Sequence, residues 1–139
     1  MKPKVITLCG STRFFPFFQV LNAEITKRGH CVFSVAICKE DTQGEMAKEL
    51  KHRLDMVHLM KIIHSDMIVV IDVAGYVGES TTREIEVAKR RKLPVIYLSK
   101  FGPMPEAIGK LVDHISPGGD PVLFDLWEEP KHVNTNQLR

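Results

Sequence analysis

Met67-Ile68-Val69-Val70-Ile71 restricts the fold more than any other stretch of the chain. Five successive apolar, mostly β-branched residues lack the alternation of a strand with one wet face. They read as a strand covered on both sides, which calls for a parallel sheet between two helical layers. The rest of the chain agrees. Val5-Ile6-Thr7-Leu8-Cys9 is a first strand closed by Gly10-Ser11. Residues 31–37 form a second, residues 93–98 a fourth with Pro94 at its entry, and Val122-Leu123-Phe124 a fifth.

Helical periodicity fills the gaps. Phe14, Phe17, Phe18, Leu21 and Ile25 recur at spacings of three and four, with Pro16 in the first turn and Gly29 as the stop. A long helix starts at Asp41 or Thr42 and runs to about His64, with Leu50, Leu54 and Val57 in its apolar stripe. Residues 81–92 and 105–114 supply two more. Strands alternating with helices predict an α/β fold, a doubly wound parallel sheet of about five strands. No repeat or linker divides the chain. Residues 1–127 therefore read as one domain and residues 128–139 as a polar tail without a period.

At 139 residues the chain is long enough for one core. Its net charge of +2 exerts no long-range pull on nucleic acid or anionic membranes, so neither is expected as a partner. The one basic run, Lys89-Arg90-Arg91-Lys92, closes a helix, where cations suit the dipole. Three cysteines, with no Cys-x-x-Cys pair and no zinc-ligand spacing, point to a reducing compartment and to no metal. The short apolar stretch before Gly10 is too brief for a signal peptide, and no run reaches the ~20 apolar residues of a membrane helix. The expected location is the cytoplasm.

In open parallel sheets, ligands sit beyond the carboxyl ends of the strands. Two loops there carry chemistry. In Gly10-Ser11-Thr12-Arg13 a glycine lets ligand approach the backbone, hydroxyls and a helix start offer donors to an anion, and Arg13 adds a bidentate contact. The plain alternative is a capped strand-to-helix turn. Gly78-Glu79-Ser80-Thr81-Thr82-Arg83-Glu84 opens another helix. Here Thr81 and Glu84 have the spacing of a capping box, each side chain bonding the other's backbone N–H. Alternatively, Glu84 is a nucleophile, held ionised by the helix dipole in the first turn. Asp72 ends the third strand at the same edge, either in the site or capping the next turn. Asp55 and His58 share a helix face: either His58 orients a sugar hydroxyl or serves as acid–base with Asp55 setting its tautomer, or the two form a surface ion pair. Tyr76 either covers a base or packs the loop.

The Leu8-to-Arg13 opening, Ser65-Asp66 before an apolar strand, Asp72, a glycine-containing loop, Glu84 near a helix start and Pro94-Val95 together resemble the nucleoside 2-deoxyribosyltransferase superfamily. That superfamily includes the deoxynucleoside 5'-monophosphate N-glycosidases. The resemblance covers about residues 4–98 and is closest to small phage and bacterial members that share the opening and the Gly-Glu-Ser-Thr-x-x-Glu loop. It implies a flavodoxin-like fold, with Glu84 attacking the sugar C1' and Asp72 positioning sugar or base. Gly10, Ser11, Arg13, His58, Gly78, Ser80 and Thr82 would bind substrate hydroxyls or phosphate. The chain departs from the family in placing Ile85-Glu86 after the glutamate and His58 where an aspartate is common. The expected activity is cleavage or transfer of the N-glycosidic bond of a (2'-deoxy)nucleoside or its 5'-monophosphate. No metal or organic cofactor is implied, and a homo-oligomer is expected. Rival readings are a non-catalytic nucleotide-binding or sensor domain, and an interaction protein whose site has decayed.

Overall fold

The computed structural model describes residues 2–38 and 44–121. Its four strands are β1 (Val5–Cys9), β2 (Cys31–Phe33), β3 (Met67–Val70) and β4 (Val95–Tyr97). All pairings are parallel, in the order β2-β1-β3-β4. This is the doubly wound, flavodoxin-like order, which reverses direction between β1 and β3. The fifth strand read from Val122-Leu123-Phe124 and the tail lie outside the described residues.

Among the described residues, four α-helices connect and cover the strands: α1 (Phe15–Lys27), α2 (Glu45–Ile63), α3 (Glu79–Arg90) and α4 (Glu106–Ile115). Strand side chains alternate between two cores. Ile6, Leu8, Met67, Val69 and Ile71 pack with Phe18, Leu21 and Ile25 of α1 and with Ala107, Leu111, Val112 and Ile115 of α4. On the opposite face, Cys9, Ile68 and Val70 pack with Ile62 of α2 and with Ile85 and Ala88 of α3. Each β3 residue thus meets a different helix pair from its neighbour, which is why the run is apolar throughout.

Some boundaries moved. The second strand is short, because the chain leaves the ladder after Phe33. A 3-10 turn, Thr12–Phe14, precedes α1, with the Ser11 hydroxyl accepting the Arg13 N–H. The apolar stripe expected along α2 is divided. Ile62 is fully buried, whereas Val57 stays exposed, as do Met56, Met60 and Ile63, which lie off that stripe. Among the described residues, no helix is long and apolar enough to cross a membrane.

Candidate active site

A cavity of about 750 Å³ opens at the carboxyl ends of β1 and β2, between α2 and the start of α3. Gly10, Ser11 and Thr12 form one wall, Gly78, Ser80 and Glu84 another, and Leu50, Leu54, Asp55 and His58 a third. Such a volume suits a small organic ligand. Gly10 is required by close approach, since a β-carbon there would lie 2.9 Å from the Ile71 carbonyl oxygen.

The two loops read from the sequence do converge here. Three expected residues nonetheless lie outside the cavity lining. Asp72, 5% exposed, accepts the Ser99 N–H at 2.8 Å and the Ser99 hydroxyl at 2.6 Å. It ties the end of β3 to the turn after β4, and it neither faces the cavity nor caps the following turn. The exposed Thr82 donates its hydroxyl to the carbonyl of Gly78, the N-cap of α3 one turn back. Arg13 lies over the Tyr76 ring, 4.0 Å from its centroid, and Phe14 meets the same ring edge-on. Tyr76 itself lines the cavity, so Arg13 contributes by holding that ring.

Glu84 differs from its sequence reading. The helix begins at Glu79, with an extended Gly78 as N-cap and no side-chain cap bond. Glu84 is therefore in the second turn, the capping box with Thr81 does not form, and the helix-start N–H groups do not hold the carboxylate ionised. Its side chain is 13% exposed, and Oε2 is sealed from solvent without a hydrogen-bond partner. Burial pushes its carboxyl up to about 7. Asp55 acts in the same sense, while the Cys9 thiol, Arg83 and Lys51 oppose it.

Two further groups face this carboxylate. His58 Nε2 is 3.9 Å from Glu84 Oε2 and 3.6 Å from Cys9 Sγ. Burial, helped by the Lys61 charge, pushes the imidazole down to about 4. The Cys9 thiol is raised well above its ordinary value, chiefly by burial and then by the Glu84 charge. Cys9, the last residue of the first strand, is fully buried, and its side chain belongs to this cluster.

At the cavity edge Lys51 joins the helices, donating to Asp55 at 2.8 Å and to the Ser80 hydroxyl at 3.3 Å. Lys48 and Lys61 also line the wall. These three lysines were not singled out in the sequence. Their only signal was a basic face on the long helix.

No protein-family model, curated protein or solved structure matches the chain. The functional reading therefore rests on the site together with the sequence resemblance.

Proposed function

We propose that the protein cleaves or transfers the N-glycosidic bond of a (2'-deoxy)nucleoside or its 5'-monophosphate, with Glu84 as nucleophile. The observation that carries this reading is a nearly buried carboxylate in a cavity wall, one oxygen of which has no donor. Burying an unsatisfied acceptor costs about 1–3 kcal/mol. A fold with no use for that carboxylate gains nothing by keeping it. Glu84 lines the cavity, where its carboxylate can meet an electrophilic carbon.

In the first step a Glu84 oxygen bonds to C1' as the C1'–N bond breaks. The bond pair leaves with the base, which takes a proton from solvent. Water or a second base then attacks C1' and frees the carboxylate, the double displacement of retaining glycosidases. The Gly10, Ser11 and Ser80 edge, with Lys48 and Lys51, supplies donors and positive charge for sugar hydroxyls or a 5'-phosphate. Tyr76, held by Arg13, gives an aromatic surface for the base.

The test incubates the protein with deoxynucleosides and their monophosphates and follows free base by chromatography. Release by the wild type, lost by several orders of magnitude in Glu84→Gln, is the expected result. The wild-type kcat/KM should rise with pH through about 7, as Glu84 ionises. Unchanged turnover in Glu84→Gln on a substrate the wild type cleaves refutes the nucleophile. Tight nucleotide binding without base release favours the sensor reading instead.

A further inference from the structure

Cys9 leaves the carboxyl end of β1, His58 comes from the middle of α2 and Glu84 from the second turn of α3. They share no local motif, yet one donor atom from each lies within 4.8 Å of the other two. The types are those of a borderline-soft cation site: a thiol sulfur, an imidazole nitrogen and a carboxylate oxygen. We propose that Cys9, His58 and Glu84 form a three-ligand site for a thiophilic divalent cation of the zinc type, with its fourth position open to the cavity.

The geometry is close to what such an ion needs. Zinc bonds of about 2.3 Å to sulfur and 2.0–2.2 Å to nitrogen and oxygen, at tetrahedral angles, place donors about 3.3–3.6 Å apart. The sulfur–nitrogen distance is already 3.6 Å, and the nitrogen–oxygen distance of 3.9 Å needs only a small contraction. Packing restricts alternatives for these side chains. Cys9 is fully buried and His58 is 6% exposed. The unpartnered Glu84 Oε2 is the atom that faces His58. A cation would give that oxygen the partner it lacks. It would also displace the Cys9 proton to solvent, because thiolate and not thiol is the ligand. His58 and Glu84 line the cavity whereas Cys9 lies behind them, so the remaining coordination position faces the cavity. Three protein ligands and one open position is the pattern of exchangeable or catalytic zinc rather than of closed structural sites.

This inference stands apart from the glycosidic reading. If both hold, the cation and the sugar compete for Glu84, and metal binding silences the nucleophile.

The test uses the full chain with Cys31 and Cys38, both exposed, changed to serine, leaving Cys9 as its only thiol. Calorimetry of this chelator-stripped protein with zinc chloride should show one ion per chain. Cobalt(II) should give the intense near-ultraviolet thiolate charge-transfer band with tetrahedral d–d bands. Glu84→Gln and His58→Ala in the same background should each weaken zinc binding at least tenfold, with far-ultraviolet circular dichroism unchanged. A stoichiometric cobalt band in the single-thiol protein supports the site even where one of these variants misfolds. Absence of the band at millimolar cobalt, or zinc affinity unchanged in a folded Glu84→Gln, overturns it. These readouts involve no nucleoside, so their failure leaves base release untouched, and the reverse.

Discussion

Replacing Glu84 by glutamine should stabilise the protein in a pH-dependent way, by an amount set by the carboxyl group's burial. In the folded chain Glu84 titrates at about 7 against an ordinary 4.5. A raised carboxylate pKa means that the fold prefers the protonated form. Its contribution is fully present below 4.5 and is lost as pH rises to about 7. At ~1.4 kcal/mol per pH unit, the loss is about 3 kcal/mol. His58 runs the other way. Its folded value is about 4 against 6.5, so its contribution is lost as pH falls through that window. In the wild type the two slopes nearly cancel between 4.5 and 6.5. Glu84→Gln removes one and exposes the other. The stability difference between variant and wild type should therefore shift in the variant's favour by about 3 kcal/mol from pH 4.5 to pH 8, or roughly 10 °C in Tm at this chain length. Urea titrations across that range, with chelator to keep Cys9, His58 and Glu84 metal-free, measure it directly. A difference flat to within about 1 kcal/mol would falsify the premise that burial governs this carboxyl.

Two further outcomes follow from the geometry. Asp72→Ala removes both hydrogen bonds to Ser99 and should cost about 2–3 kcal/mol of stability. Because Asp72 lies outside the cavity, nucleotide affinity should change less than threefold once the variant is folded; a larger loss, by calorimetry, returns Asp72 to the site. Gly10→Ala pushes a methyl group against the Ile71 carbonyl at 2.9 Å. Urea denaturation should show a loss of about 1–3 kcal/mol, and a neutral result would mean that β1 and β3 can part at this point without cost.

How far the site was legible depended on whether each side chain acts locally. Gly10, Ser11, Gly78 and Ser80 follow strands or open a helix in the sequence itself, and the rule about carboxyl ends of parallel strands then put them together. The apolar run at Met67 was legible for a similar reason, since two-sided burial leaves its mark in consecutive residues. Cys9 was not legible. In a strand apolar on both faces, composition does not say which helix layer a given residue meets. Cys9 shares the sheet face of Ile68 and Val70, turned to α2 and α3, and that face brings it to a histidine 49 positions away. Glu84 does line the cavity, but its local setting is not the first-turn position expected for it. Gly78 begins the helix earlier than Thr81, which moves Glu84 beyond the reach of the free N–H groups. Asp72 was misplaced because its partner, Ser99, is 27 residues further on and carries no signal of the pairing.

The pairing of β1 with β3 also has a kinetic side. Cys9 accepts the Ile71 N–H at 2.7 Å through its carbonyl, while its thiol is sealed beneath α2 and α3. Bulky electrophiles reach that sulfur only when the wall of His58 and Glu84, or the helices that carry it, moves aside. Cys31 and Cys38, both exposed, are open to reagent at all times. One chain therefore carries a slow thiol beside two fast ones. The slow one is a built-in clock for opening of the layer above it, its alkylation rate tracking the free energy of that excursion.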